Sequence, residues 1–180
     1  MMKKKIIITG GLGYIGTELC KLYSGVSWNN SITVIDNRFS SERVNQIRNW
    51  NMNFVHGDIL DKTLINKYCK DADVVHHLAG ITDVPRTRSE SNDDKDNQIK
   101  IVAEEGTQNI LDAISDKCKI IFPSTHVVYE GIEKIKNEIT EDEEVKPILS
   151  YSKSKALNEK QLKNSGKNYI ILRLGSVYGY

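Results

Sequence analysis

Tyr151 stands four residues before Lys155 in the run Tyr-Ser-Lys-Ser-Lys. On a helix that spacing puts a phenol and an ammonium on one face, one turn apart. A tyrosine hydroxyl, with a pKa of about 10, is a poor base at neutral pH, and a neighbouring positive charge favours its phenolate. The pair is suited to drawing a proton from a hydroxyl and handing it back. An isolated Tyr-x-x-x-Lys is also a plausible exposed start of an amphipathic helix, so the pair by itself is weak evidence.

A second run, Thr9-Gly10-Gly11-Leu12-Gly13-Tyr14-Ile15-Gly16, follows the β-branched stretch Lys5 to Thr9. Gly11, Gly13 and Gly16 satisfy Gly-x-Gly-x-x-Gly, in which one glycine makes a tight turn, one lets backbone approach a pyrophosphate and one packs helix against strand. The helix that follows points its N-terminus at the phosphates. The stretch Ile32 to Ile35 ends at Asp36, about 20 residues beyond the last glycine, where a carboxylate accepts the hydroxyls of an adenosine ribose. Asp36 argues for NAD as cofactor, because it repels a 2′-phosphate, while Arg38 leaves room for a dual preference. The glycines and the Tyr151–Lys155 pair together supply both halves of a site for hydride and proton transfer. A glycine-rich turn in an unrelated α/β protein would lack the agreement of strand, spacing and acid.

These residues need a frame to hold them. Lys5 to Thr9, Ile32 to Ile35, Asn53 to His56, Val74 to Leu78, Lys119 to Pro123 and Tyr169 to Leu174 read as strands. Tyr14 to Tyr23, Leu60 to Cys69, Ile99 to Ile114 and Tyr151 to Lys163 carry apolar residues at helical spacing, with Asp61 as a cap for the second. The alternation predicts an α/β fold: a Rossmann-type doubly wound parallel sheet, in one dinucleotide-binding domain over residues 1–180. Thr82 to Gln98 breaks the rhythm after the fourth strand, and its acidic middle, Asp93, Asp94 and Asp96, is expected to be a solvated excursion. Lys134 to Glu144 reads as solvated loop.

The 180 residues are 39% hydrophobic with a net charge of +1, enough for one buried core and without the basic field that nucleic acid demands. The lysines at 3–5 precede only a short isoleucine run, too brief for a signal peptide, and no stretch could span a membrane. A cytoplasmic location is expected. Cys20, Cys69 and Cys118 are far apart, so buried thiols are expected and no metal site. His76 and His77 read as hydrogen-bonded core histidines, and Trp28 and Trp50 as core edges or surface aromatics.

The motifs together resemble the extended short-chain dehydrogenase/reductases, the NAD-dependent epimerase/dehydratase group that acts on nucleotide sugars. Thr9 to Gly16 is similar to that family's cofactor loop, Val34-Ile35-Asp36-Asn37 to its second strand, and Gly57-Asp58-Ile59 to its adenine-contacting turn. His77-Leu78-Ala79-Gly80 resembles its H-x-A-[AG] segment, and Val84-Pro85-Arg86 a segment common in nucleotide-sugar epimerases. Ser124 to Tyr129 is similar to S-[ST]-x-x-V-Y, and Arg173 to Gly179 to R-x-x-N-V-Y-G. The resemblance implies catalysis by Thr125, Tyr151 and Lys155, with Thr125 bonded to the reacting oxygen. It implies NAD contacts from Gly10, Gly11, Gly13, Tyr14, Ile15 and Gly16, from Asp36, Asn37, Asp58 and Ile59, from Leu78, Ala79 and Gly80, and from Tyr151 and Lys155. Substrate contacts are implied for Thr82, Arg86, Thr125, His126 and Ser176, with a packing role for His126 equally open. A UDP-sugar and a homodimer are the implied partners.

The chain departs from that pattern in several places. Dehydratases of the group carry an Asp-Glu pair after the threonine, where this chain has His126 and Val127, so dehydration by that route is not expected. Ala103 stands where many members have an asparagine, Ser150 replaces a proline before Tyr151, and Ser176 replaces an asparagine near the nucleotide diphosphate. Family members continue into a smaller C-terminal region that grips the sugar nucleotide, and most of that region is expected to be missing here. The expected activity is UDP-hexose 4-epimerase-like, with a nucleotide-sugar reductase or a non-catalytic dinucleotide-binding module as alternatives.

Overall fold

A computed structural model describes residues 3–82, 93–133 and 138–178, the Trp28 side chain excepted. Its strands are β1 (Lys4–Thr9), β2 (Asn30–Asp36), β3 (Asn53–His56), β4 (Val74–His77), β5 (Lys119–Thr125) and β6 (Asn168–Leu174). Between them run α1 (Tyr14–Ser24), α2 (Ser41–Asn49), α3 (Lys62–Cys69), α4 (Asp93–Ala113) and α5 (Ser150–Asn164). All strand pairs are parallel, in the order β3-β2-β1-β4-β5-β6. The chain reverses its winding between β1 and β4, and in such sheets the crevice outside the strands' carboxyl ends at that point receives the ligand.

The period-2 alternation of β1 divides the core. Ile6 and Ile8 join Cys20, Ile32, Val34, Val44 and Ile47 under α1 and α2, whereas Ile7 joins Ile65, Val75, Ile110, Ile120 and Leu162 under α3, α4 and α5. Burial on both faces explains why β1 and β2 carry apolar or β-branched residues at consecutive positions rather than alternating ones.

Two expectations change. The acids Asp93, Asp94 and Asp96 are not a solvated excursion: they form the first turn of α4, where carboxylates meet the positive end of the helix dipole. The helix therefore starts six residues before the first apolar position that announces it. Helix α2 has no counterpart in the sequence reading, because only Val44 and Ile47 of its nine residues are buried. Asp61 caps α3 as expected, its Oδ1 accepting the Leu64 amide at 2.9 Å. Strand β5 runs on to Thr125, two residues beyond its predicted end.

His76 and His77 are buried and bonded. The Tyr23 hydroxyl lies 2.8 Å from His76 Nε2, and His77 sits between the Thr9 and Thr107 hydroxyls at 3.0 Å each. The Cys20, Cys69 and Cys118 thiols are buried, which pushes their pKa values to about 12, about 12 and about 11. Trp50 packs half-buried against the α1–α2 cluster. Among the described residues no helix is long and apolar enough to cross a membrane, and no group of His, Cys, Asp or Glu is arranged to hold a metal ion.

Candidate active site

The glycine loop is a close contact between three backbones. Gly10 has φ +71°, and a Cβ there would lie 2.6 Å from the Ala79 amide nitrogen, so both conformation and space demand glycine. Gly16, in the first turn of α1, leaves so little room that a Cβ would fall 2.4 Å from the Gly10 carbonyl oxygen. Gly11 faces inward against Val34. Gly13 is the N-cap of α1 and brings no side-chain acceptor, so the helix presents first-turn N–H groups at the carboxyl edge of the sheet.

Asp36 ends β2 with its carboxylate buried behind the loop. Its Oδ2 accepts the Leu12 amide at 2.9 Å and its Oδ1 accepts the Arg38 amide at 2.9 Å, with Arg38 Nε at 3.4 Å. Arg43, on the unforeseen α2, donates to the Leu12 carbonyl. Beyond Asp36 the Asn37 amide donates to Asp58 Oδ2 at 2.8 Å, and Asp58 Oδ1 accepts the Leu60 amide at 2.9 Å, which fixes the turn after β3.

The groups expected to react come from β5 and α5. Thr125 is buried at the end of β5, its Oγ1 accepting the Val127 amide at 3.2 Å to start a 3-10 turn over His126–Tyr129. Lys155 is 8% exposed, and its Nζ donates to the Pro123 carbonyl at 2.9 Å over the Phe122 ring. Burial lowers the Lys155 ammonium to a pKa of about 8 and raises the Tyr151 phenol above its ordinary value. Lys155 Nζ lies 5.9 Å from the Tyr151 ring centre, within range to favour a phenolate, although for this tyrosine burial is the larger effect. At pH 7 the site therefore holds a phenol beside a mostly charged lysine.

Helix α5 has no cap of its own at Leu149. Glu130, from the loop after Thr125, anchors the approach to it instead: its Oε1 accepts the amides of Ile148 and Leu149 at 2.6 and 2.7 Å and the Ser152 hydroxyl. One carboxylate thus ties the Thr125 turn to the start of the Tyr151 helix. One turn beyond Lys155, the buried Asn158 amide donates to the Ala103 carbonyl at 2.8 Å and to Thr107 Oγ1 at 2.9 Å, joining α4 to α5 where Ala103 brings no polar side chain.

These parts line one cleft of about 810 Å3. Gly10, Gly13, Tyr14, Ile15 and Gly16 line it at the glycine loop, and Asp36, Asn37, Asp58 and Ile59 line it at the ends of β2 and β3. Leu78, Ala79, Gly80 and Thr82 line the exit of β4, and Thr125, Tyr151 and Lys155 line the end formed by β5 and α5. Gly11 lies behind the wall; Ser176 and His126 are exposed outside it, with His126 Nδ1 donating to the Leu174 carbonyl at 3.1 Å. Arg86 falls outside the described residues, as do Val84 and Pro85. Sequence reasoning did not foresee Ile35, Val102 and Val177 in the wall, since nothing in their local pattern separates them from core or surface. Glu130 and Arg43 carried no motif at all.

The cleft fits NAD. Gly10 and Gly16 keep Cβ atoms out of the glycine-loop end, where a pyrophosphate would lie, α1 aims amide dipoles at it, and a buried carboxylate stands where ribose hydroxyls would be gripped. The comparison with known proteins agrees. A profile of the NAD dependent epimerase/dehydratase family matches residues 6–180, and the chain belongs to that family of NAD-dependent enzymes.

Among curated relatives, the CDP-paratose 2-epimerase of Salmonella typhi is 36% identical over 149 residues, covering 76% of this chain and 41% of its own. The UDP-N-acetyl-alpha-D-glucosaminuronate decarboxylase of Bacillus cytotoxicus is 34% identical over 132 residues, covering 71% and 38%. A crystal structure of UDP-glucuronic acid 4-epimerase from Bacillus cereus, in complex with UDP-glucuronic acid and NAD, superposes with a TM-score of 0.72 at 27% identity, covering 93% of this chain and 55% of that one. The chain thus spans less than half the length of these two curated relatives.

Proposed function

We propose that this chain is the cofactor-binding and catalytic part of a nucleotide-sugar epimerase that acts on a UDP-hexose, oxidising a ring hydroxyl transiently and re-reducing the ketone from its other face. The carrying observation is the convergence of Thr125, Tyr151 and Lys155 on the same cleft as Gly10, Gly13, Gly16 and Asp36. When bound, NAD supplies the hydride acceptor and, for the return step, the donor. Tyr151 takes the hydroxyl proton and returns it, Lys155 supplies the positive charge that makes the phenolate accessible, and Thr125 Oγ1 holds the reacting oxygen. Val127 favours this reading over dehydration, since it offers no proton at the position that carries an acid in dehydratases. A cytoplasmic homodimer completes the proposal.

The test is turnover of a UDP-hexose panel by the NAD-loaded protein, followed by proton NMR of the anomeric and ring signals. Inversion at one ring carbon without net NADH supports the epimerase. Stoichiometric NADH consumption in a parallel assay supplied with NADH would replace it with a reductase, and carbon dioxide release from UDP-glucuronic acid with a decarboxylase.

A further inference from the structure

We infer that Glu159 is a positioning residue of this site: its carboxylate, clamped by Arg173, holds the Ser124–Thr125 end of β5 at a fixed distance from the helix that carries Tyr151 and Lys155. The inference rests on the reading of Thr125, Tyr151 and Lys155 as the reacting groups.

Tyr151, Lys155 and Glu159 follow one another at four-residue spacing along one face of α5. Glu159 is only 2% exposed, a place where an isolated carboxylate would be costly. It is not isolated. The Ser124 hydroxyl donates to Oε1 at 2.6 Å, Arg173 Nε to Oε1 at 3.0 Å and Arg173 Nη2 to Oε2 at 2.6 Å, while Lys163 Nζ lies 3.6 Å from Oε2. Burial alone would raise the carboxyl pKa, but the bonds from Arg173 and Ser124 outweigh it and hold it below the ordinary value.

The geometry makes these contacts more than core filling. Helix α5 grips β5 at two consecutive residues, Lys155 on the Pro123 carbonyl and Glu159 on the Ser124 hydroxyl, and the next residue is Thr125. Arg173 sits opposite Ser124 in the β5–β6 register and also donates to the Tyr129 hydroxyl and to the Glu141 carbonyl at 2.9 Å, so the same clamp fixes β6 and the turn after Thr125. A pair of apolar side chains could fill this volume with no loss of stability. It could not hold the Ser124 hydroxyl at hydrogen-bond length, and a displacement of about 1 Å in a reacting constellation costs on the order of a hundredfold in rate.

The readout is the titration of Lys155 in the 180-residue chain, followed by NMR of isotopically labelled lysine and assigned with Lys155→Met. Neutralising a nearby carboxylate without movement would lower the Lys155 midpoint. Releasing the end of β5 loosens the Pro123 contact, lets water reach Nζ and raises the midpoint toward the ordinary lysine value. Glu159→Gln is expected to raise it by about one pH unit or more. Glu159→Leu combined with Arg173→Leu removes both charges, so it avoids an unpaired buried ion, and is expected to raise it likewise. Ser124→Ala, which deletes only the gripped hydroxyl, is expected to give a smaller rise and decides the question if the charge variants do not fold. An unchanged or lowered midpoint in a folded variant overturns the inference. NAD titration of the parent chain separates the two claims: failure to bind NAD would sink the proposed function, while the Lys155 titration would still report on the clamp.

Discussion

Asp36 Oδ2 accepts the Leu12 amide at 2.9 Å across 24 residues of sequence, joining the end of β2 to the glycine loop. The same carboxylate also holds the Arg38 amide, so the acid proposed to meet the ribose is itself oriented by backbone. A 2′-phosphate placed there faces a buried negative charge, and Arg38, largely exposed, is a weaker counterweight. NAD is expected to bind at least about tenfold more tightly than NADP, equivalent to about 1.4 kcal/mol, and Asp36→Asn to narrow that gap. Calorimetry with both dinucleotides checks this; equal affinities would move the specificity from Asp36 to Arg38.

The phenol of Tyr151 touches only the reacting oxygen in the proposed mechanism. Tyr151→Phe is expected to lower turnover by about a hundredfold or more while NAD affinity stays within about twofold. Lys155→Met should impair both, because it alters the charge and the wall of the cleft. Retention of most activity by Tyr151→Phe would reassign proton transfer, with His126 the first residue to test.

Lys155 also leaves a mark on stability. Its pKa is about 8 in the folded chain against an ordinary 10.5, so between these values the folded state holds it neutral while the unfolded state still binds the proton. Stability from this group therefore rises with pH over that window, by about 1.4 kcal/mol per pH unit, and is flat below about pH 8 where both states are charged. Denaturant midpoints of the parent and of Lys155→Met, measured from pH 7 to 10.5, are expected to diverge in the parent's favour as pH rises. Parallel curves would show that the lysine is better solvated than its place under Tyr151 suggests.

Gly10→Ala introduces a Cβ 2.6 Å from the Ala79 nitrogen at a residue with φ +71°. Backbone cannot give way there as a flexible side chain would, so the loop must shift away from the exit of β4. Loss of 2 kcal/mol or more is expected, as a rough figure, along with loss of NAD binding. Gly25→Ala, with nothing within 4 Å of its Cβ and an ordinary helical φ, is the matched control and is expected to be neutral. Chemical denaturation and NAD titration of the two variants make the comparison.

The sequence by itself determined the parts whose meaning lies in spacing along the chain. Glycines within seven residues, an acid about 20 residues on, a tyrosine one turn before a lysine, and apolar strands between amphipathic helices are short-range patterns imposed by strand and helix periods. They were enough for the sheet class, the glycine loop, Asp36 and the Tyr151–Lys155 pair, whereas Asp58, Ile59, Leu78 to Gly80 and Thr125 in the cleft wall came from the resemblance to a family. Helix α2 escaped because Val44 and Ile47 are too few to show a period, and the start of α4 escaped because Asp93, Asp94 and Asp96 stabilise a helix end through charge rather than burial.

Only the tertiary structure decided how the reactive groups are held. Ser124 and Glu159 are 35 residues apart and Asn158 and Ala103 are 55, and these pairs meet because crossover helices pack back onto one face of the sheet; Glu130 and Leu149, 19 apart, meet because the connection from β5 to α5 folds back on itself. A carboxylate such as Glu130 or Glu159 reads in the sequence as one more polar residue of a loop or helix. It becomes an anchor or a clamp only when packing takes it from water and leaves backbone amides, a serine hydroxyl or an arginine as its partners, and that packing is a property of the sheet and helices together rather than of any segment of the chain.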